Sequence, residues 1–308
     1  MLKRLSFVLL TLLSSTLFFS MSANAAYTVA DSNGSKTLPA VPTRIAVLDW
    51  GLAQQVIELG VTPVAMPDIQ GYQDWVVKPT VPSGTVDVGT RSEPNYELLA
   101  ELKPDVILVG STQQDLAPQL SHIAPVLYYQ TYSELHNNVQ AAIDNFLQIG
   151  HLLGKKNVAQ KKLTQMDQKL AKLRSQLDAA YPGKRPKVTA FRFASTTSVY
   201  VYGDNSIPQY ALQKLGFNNA MPQPTTQWGV TQKRLTSLKD IGHGIGVYFL
   251  PFAQQSQLKR SVIWNMMPFV KDGHVASAAS TWSYGGALSI QYNAEALAHS
   301  LLKLAGKA

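Results

Sequence analysis

The sequence predicts an α/β protein of two lobes, with mainly parallel sheets, joined by one long helix. Short apolar runs of strand length alternate with stretches of helical periodicity over residues 44–129, and the same alternation returns over residues 187–250. A longer stretch of helical periodicity, from 135 to about 180, separates the two regions. Because strands that alternate with helices form βαβ units, each region is expected to contain parallel strands.

Composition and charge restrict the classes of function. With 45% hydrophobic and 15% charged residues among 308, the chain resembles packed globular proteins rather than disordered or collagen-like ones. The net charge of +8 is not concentrated in a basic run, so binding to the phosphates of a nucleic acid is disfavoured. A moderate positive field instead suits an anionic small ligand or an anionic partner surface.

The N-terminal segment has the three parts of a secretory signal peptide. Lys3 and Arg4 form a basic start, residues 7–19 form an apolar stretch, and small residues flank the bond between Ala25 and Ala26. We therefore predict a signal peptide over residues 1–25, cleaved near Ala25–Ala26, and a mature protein in the periplasm. A membrane anchor is the alternative, but serine and threonine residues interrupt the apolar stretch. Because the chain has no cysteine, lipid attachment at an N-terminal cysteine is excluded.

The first lobe is predicted over residues 26–153. An apolar run between Pro42 and Gly51 has the form of a strand buried on both faces, and the helix that follows it stops at Gly60. The later elements alternate in the same way: a strand at 63–66, a short helix at 96–102, a strand at 104–110, a helix at 116–123 and a strand at 126–129.

The joining helix is predicted within residues 154–182 and the second lobe over residues 183–308. Residues 157–180 would extend roughly 36 Å as a straight helix, which is long enough to pass from one lobe to the other. A long surface helix of a single domain is the alternative. The second lobe is predicted to contain strands at 187–191, 199–202 and 246–250, helices at 207–215, 235–241, 262–270 and 292–304, and a loop over 228–235.

Motifs for catalysis and metal binding are missing from the sequence. It contains no nucleophile-elbow, zinc-protease, phosphate-loop or strand-linked dinucleotide glycine motif. Cysteine is absent and the six histidines are dispersed, which disfavours a direct transition-metal site. We predict a non-enzymatic protein with no cofactor. The rival from another class is a periplasmic α/β hydrolase or esterase, which would need a serine nucleophile beside a base.

Aromatic residues are concentrated in predicted loops. Tyr72 and Trp75 follow the second predicted strand, Trp228 precedes a short helix, and Trp282 and Tyr284 lie in a glycine-flanked loop. In α/β proteins the loops at the carboxyl ends of strands form the ligand crevice. A single loop tryptophan is more often explained by packing than by ligand contact, but the presence of several in glycine-flanked loops of both halves favours a ligand cleft.

Arg91 is the polar companion of these aromatic residues. It lies in a predicted loop, where its planar guanidinium could donate hydrogen bonds to clustered oxygens of a ligand. The alternative is a surface salt bridge to Glu93.

Four stretches carry a resemblance to a known family. Taken together, they resemble the periplasmic iron(III)-hydroxamate, or ferrichrome-type, siderophore-binding proteins, and the resemblance extends from about Arg44 to Leu304. It implies a rigid two-lobed binding protein that delivers a ferric siderophore to an inner-membrane ABC permease, and we expect a monomer. The four stretches are residues 75–79, 86–104, 265–273 and 282–289.

The resemblance also implies roles for residues. Arg91 resembles the arginine that reaches the iron-bound hydroxamate oxygens, and four aromatic residues resemble the walls of the cleft: Trp75, Trp228, Trp282 and Tyr284. Where the family has a tyrosine, this chain has the segment Gly110–Asp115 with Gln113, so a second polar contact to the chelate is expected to differ. The iron of such a complex is already fully coordinated by the siderophore, so no protein ligand to the metal is required.

Alternative ligands remain open at this point. Catecholate or mixed-ligand ferric siderophores are the nearest alternative, and their greater negative charge would call for several basic residues. Besides Arg91 only Arg192 is a candidate for that role. A carrier of vitamin B12 or haem on the same fold is disfavoured, because the sequence shows no arrangement of residues that would supply an axial ligand to the metal.

Docking on the permease is implied to involve an acidic residue on each lobe. Glu97 supplies it in the first lobe, although the start of a helix also favours a carboxylate there through the helix dipole. The matching residue of the second lobe is Lys233, which has the opposite charge. We therefore expect either that the first lobe dominates the electrostatic contact or that Asp240 takes the place of Lys233.

Overall fold

The structure, a computed structural model, describes residues 26–306. The predicted signal peptide lies outside the described residues. Two five-stranded sheets form the two lobes, and a two-stranded hairpin precedes them. The α/β architecture of two lobes joined by a long helix is confirmed. None of the helices within residues 26–306 combines the length and the apolar character needed to cross a membrane.

The sheet of the first lobe is entirely parallel, with strand order β5-β4-β3-β6-β7. Its central strands consist of apolar residues that are buried on both faces, as expected where helices cover a parallel sheet. The strands are β3 (Ile45–Val47), β4 (Ala65–Met66), β5 (Val86–Asp87), β6 (Val106–Val109) and β7 (Val126–Tyr128). The helices are α1 (Trp50–Glu58), α2 (Ile69–Trp75), α3 (Tyr96–Glu101), α4 (Ala117–Leu120) and α5 (Asn138–Leu152).

The sheet of the second lobe is mixed, with strand order β10-β9-β8-β11-β12. β8, β11 and β12 are parallel, whereas β9 and β10 are antiparallel to their neighbours. The strands are β8 (Val188–Phe193), β9 (Ser198–Tyr202), β10 (Val230–Arg234), β11 (Ile245–Phe249) and β12 (Val275–Ala278). The helices after the joining helix are α7 (Ile207–Lys214), α8 (Gln255–Lys259), α9 (Val262–Asn265), α10 (Pro268–Lys271) and α11 (Ser289–Ala305).

Several local predictions need correction. The loop expected over 228–235 contains the strand β10, whose residues are half-buried or exposed and therefore show no apolar run. The helix expected over 262–270 is divided into α9 and α10, because Met267 takes the extended backbone that the following proline favours. The helix expected over 116–123 is a 3-10 turn, Ser111–Leu116, followed by the short α4.

A hairpin at the start of the described chain was not predicted. It consists of β1 (Tyr27–Asp31) and β2 (Gly34–Leu38), and it attaches to the first sheet. The backbone N–H of Ser32 donates to the carbonyl of Tyr128 (2.8 Å), and the N–H of Tyr128 donates to the carboxylate of Asp31 (3.1 Å).

The joining helix is α6 (Lys156–Ala180), 25 residues long. One face is buried, and the other is solvated and polar, so packing rather than apolar composition holds the helix in place. It packs against α5 of the first lobe and α11 of the second. The buried residues are Ala159, Met166, Leu170 and Leu177.

Polar side chains on α1 tie the lobes together. Oε1 of Gln54 accepts hydrogen bonds from the backbone N–H of Gly286 (3.1 Å) and from the hydroxyl of Ser289 (2.9 Å). One turn later, Glu58 forms an ion pair with Lys162 of α6 (2.7 Å) and accepts a hydrogen bond from Tyr292 of α11. The first lobe is therefore fixed to α11 and to the loop that precedes it.

Candidate ligand-binding cleft

A cavity of about 350 Å³ lies between the two lobes. Most of its lining follows the carboxyl ends of parallel strands, which is where α/β proteins bind ligands. The first lobe contributes Asp49, Trp50, Arg91, Thr112, Thr131 and Tyr132, and the second contributes Arg192, Tyr200, Trp228, Val230, Trp282 and Tyr284.

The aromatic residues form one continuous wall across both lobes. Tyr132 stacks on Trp228 with ring centroids 5.6 Å apart, and Tyr284 makes T-shaped contacts with both rings. Tyr284 also meets Trp282, which in turn contacts Trp50 of the first lobe at 5.3 Å. Edge-to-face contacts of this kind add to the stabilisation from burial. The cleft therefore presents rigid apolar faces to a ligand.

Glycines bring the second-lobe part of this wall close to α1. A Cβ atom on Gly285 would lie 2.2 Å from Oε1 of Gln54, and one on Gly286 would lie 2.3 Å from Cγ of Gln55. The carbonyl of Gly285 accepts a hydrogen bond from the hydroxyl of Tyr132 (3.1 Å). Burial raises the pKa of Tyr132 well above its usual value, so the phenol remains a donor. This contact fixes the loop that carries Trp282 and Tyr284.

Arg91 lies at the mouth of the cleft with its guanidinium stacked on an indole. Its Cζ is 4.0 Å from the ring centroid of Trp50, whose Nε1 donates to the carbonyl of Pro67 (3.0 Å). Within residues 26–306 Arg91 forms no ion pair, so the salt bridge to Glu93 that was the alternative is not present. The stacking orients the planar group and leaves its N–H donors available for a ligand.

Asp49 places a carboxylate on the same wall. It caps α1 by accepting the N–H of Leu52 (2.9 Å) and is partly buried. Burial raises the pKa of Asp49, and the hydrogen bonds from the backbone of α1 and the charge of Arg91 oppose that effect only in part. Asp49 therefore places its carboxylate in the cleft beside the charge of Arg91.

Tyr72 and Trp75, predicted for ligand contact, do not line the cleft. Tyr72 and Trp75 lie on α2 rather than in a loop. Tyr72 is fully buried, meets Trp50 edge-on and donates to the carbonyl of Pro79 (3.0 Å), so it supports the cleft wall from behind. Trp75 is 43% exposed and lines a small neighbouring pocket together with Trp282 and Tyr284.

Gln113 is 1% exposed and lies beside Arg91 rather than on the cleft between the lobes. Its Nε2 contacts the carbonyl of Arg91 at 3.4 Å, and its buried Oε1 has no hydrogen-bond partner within the described residues. This side chain positions the backbone of Arg91.

The predicted docking residues lie on separate surface elements. Glu97 is exposed in the first turn of α3, whose N-terminus is capped by Asn95. Lys233 is half-buried on β10, and Asp240 is exposed in a 3-10 turn, Leu235–Ile241. Their part in docking remains a prediction.

Comparison with known proteins places the fold in a family. Residues 45–233 match the family described as periplasmic binding protein. The chain belongs to this family. Among relatives of this periplasmic binding protein is the iron(3+)-hydroxamate-binding protein FhuD of Escherichia coli (strain K12). It is 28% identical over 259 residues, which cover 82% of this chain and 84% of that protein.

This chain also matches a solved structure over almost the whole length of that structure. It is the siderophore-binding protein FhuD from Vibrio cholerae, bound to Fe3+-Desferal, with 48% identity and a TM-score of 0.84 over 85% of this chain and 98% of that one. A further relative is the Fe(3+) dicitrate-binding periplasmic protein FecB of E. coli (strain K12). It is 34% identical over 160 residues, 49% of this chain and 50% of that protein. The relatives of this chain are therefore described as binding different iron chelates.

Proposed function

We propose that the protein captures a ferric hydroxamate siderophore in the cleft between its lobes and delivers it to an inner-membrane ABC permease. The observation that carries this proposal is the guanidinium of Arg91, stacked on Trp50 and without an ion-pair partner in residues 26–306, at the mouth of an aromatic cleft. The two relatives named FhuD, one described as hydroxamate-binding and one holding Fe3+-Desferal, support the same ligand class.

The geometry suits a chelate that keeps all its own bonds to iron. Arg91 donates to the hydroxamate oxygens on the face of the chelate, and these charge-assisted bonds fix its orientation. Trp228, Trp282 and Tyr284 pack against the organic scaffold, where burial of apolar surface supplies most of the affinity. The iron is cargo, and binding requires no covalent change. The relatives are binding proteins, which supports a non-enzymatic role over a hydrolase.

A fluorescence titration tests the ligand class. Trp50, Trp228 and Trp282 line the cleft, so an absorbing ferric hydroxamate bound there is expected to quench tryptophan emission at micromolar concentrations. A ferric catecholate, haem and a corrinoid serve as competing ligand classes, and a chromogenic ester tests for hydrolysis. The control variant is Trp264→Phe, since Trp264 lies in a separate core of the second lobe and its loss should leave the quenching intact. If no ferric hydroxamate quenches the emission, the proposed ligand class is wrong.

Delivery to a permease is proposed to rely on the exposed carboxylate of Glu97. With the sign reversed at Lys233, the first lobe is expected to dominate the electrostatic contact, or Asp240 to contribute from the second lobe. Glu97→Arg should impair siderophore-dependent uptake or stimulation of the transporter ATPase without changing siderophore affinity. Lys233→Glu should be neutral or improve coupling.

Glu101→Arg is the matched control for this docking prediction. Glu101 is exposed on the same helix as Glu97, so the two variants change the net charge of α3 equally. If the position of the charge matters rather than its amount, Glu97→Arg impairs uptake and Glu101→Arg does not. A loss of transport with Lys233→Glu as large as that with Glu97→Arg would contradict asymmetric docking.

A further inference from the structure

The cleft holds a second guanidinium, that of Arg192, on the wall formed by the second lobe. Arg192 is the last residue but one of β8 and pairs in register with Tyr200 of β9. Its Cζ lies 4.6 Å from the ring centroid of Tyr200, and its Nη2 lies 3.5 Å from the hydroxyl of Tyr284. The two rings hold the half-buried guanidinium along the wall of the cleft.

The surroundings of Arg192 supply little negative charge. Within residues 26–306 it forms no ion pair, and its buried Nε has no hydrogen-bond partner. The lining that its own lobe contributes contains aromatic rings and Val230 but no carboxylate. Asp49 is the one carboxylate among the residues that line the cleft; it lies on the first lobe, where the charge that acts on it is that of Arg91.

The position of the Arg192 guanidinium is energetically unfavourable unless a ligand supplies hydrogen-bond acceptors. A charged group that is partly removed from water loses favourable solvation free energy, and a donor without a partner adds to this cost. A matching acceptor on a ligand offsets both effects. A ferric trihydroxamate has no net charge, because its three hydroxamates balance the charge of Fe(III), and Arg91 already faces its oxygens. The second cation is therefore in excess of what a neutral chelate requires.

Resting on the proposed function, we propose that Arg192 selects ferric hydroxamates that carry an additional anionic group, such as a carboxylate on the chelator. The carboxylate accepts hydrogen bonds from the terminal nitrogens of Arg192 while the hydroxamate face meets Arg91. Chelates with a cationic arm are expected to bind more weakly, because the arm meets the like charge of Arg192 on the second-lobe wall.

A matched ligand series separates arm charge from chelate shape. A linear ferric trihydroxamate with a free terminal amine, with that amine acetylated, and with that amine succinylated has the same iron site and a positive, neutral or negative arm. Dissociation constants are measured by tryptophan quenching at one fixed salt concentration, since ionic strength screens such effects. The native protein should bind the succinylated chelate about tenfold more tightly than the free amine, which corresponds to about 1.4 kcal/mol.

Variants then assign the preference to a residue. Arg192→Gln should abolish the ranking by arm charge, with the neutral, acetylated chelate as the reference affinity for each variant. Arg192→Lys keeps the charge and should keep the order of the three ligands. It also serves as the second variant if Arg192→Gln fails to fold. Arg260→Gln removes an equal charge from an exposed position of the second lobe outside the cleft, and should leave the ranking unchanged.

Two outcomes would overturn the inference while leaving the proposed function intact. The first is equal affinity of the native protein for all three chelates. The second is a ranking that survives in Arg192→Gln, which would place the charge preference elsewhere. Failure of all three chelates to bind would overturn the proposed function, and this inference with it.

Discussion

Replacement of Arg91 by alanine is expected to weaken binding of a ferric hydroxamate by about 1.5–3 kcal/mol, the range for the loss of hydrogen bonds that involve a charged group. Fold stability should change little, because the guanidinium is exposed, forms no ion pair within residues 26–306 and stacks on only one face of Trp50. Calorimetric titration with a ferric hydroxamate measures the affinity, and a thermal melt of the same sample checks the fold.

Two variants control the interpretation of this result. Arg91→Lys should recover only part of the affinity, because an ammonium cannot reproduce two parallel donors on a plane or the stacking on Trp50. Glu93→Ala tests the salt-bridge explanation and should leave affinity unchanged, since the structure contains no such pair. Undiminished affinity in both Arg91 variants would remove Arg91 from the ligand site.

Replacement of Tyr132 by alanine is expected to destabilise the fold by about 3–5 kcal/mol, as for other large aromatic residues in cores. Tyr132 is 6% exposed and stacks on Trp228, and its hydroxyl holds Gly285 on the opposite lobe. Its loss removes the support of the aromatic wall, so siderophore affinity should fall together with stability. Chemical denaturation measures the first quantity and fluorescence titration the second.

The phenylalanine variant separates the ring of Tyr132 from its hydroxyl. Tyr132→Phe keeps the stacking and loses one hydrogen bond, so the cost should be only about 1 kcal/mol. Phe146→Ala is the control for stability alone: this fully buried ring lies on α5, outside the cleft lining, and its loss should lower stability without changing affinity in the folded protein. If Tyr132→Ala lowers stability but leaves affinity unchanged, the ring does not support the binding wall.

The sequence predicts the order of elements well where packing is two-sided. Strand β3 is apolar and buried throughout, and α6 buries one stripe along its length, so the periodicity of each reports its surroundings directly. β10 and the hairpin were missed because their residues are largely polar and exposed, and their pairing partners are set by tertiary structure rather than by a local pattern.

The candidate site was predictable in part. Arg91, Trp228, Trp282 and Tyr284 line the cleft as expected, whereas Trp50 and Tyr132 were missed. Both follow the carboxyl end of a parallel strand, and that position was the available signal. What the sequence could not supply is distance: Tyr132 and Gly285 are 153 positions apart, and only the folded chain shows that they meet.

The hairpin that precedes the first lobe also protects the molecule from association. β7 is the outermost strand of its sheet, and an uncovered edge strand offers free N–H and carbonyl groups to a second copy. Asp31 and Ser32 occupy those groups on Tyr128, and the hydroxyl of Ser32 accepts the N–H of Gln130 as well (2.7 Å). A shortened form that begins after Leu38 would expose this edge and would be prone to aggregation. An N-terminal fusion tag therefore belongs ahead of Tyr27, where the hairpin begins, and should leave the hairpin intact.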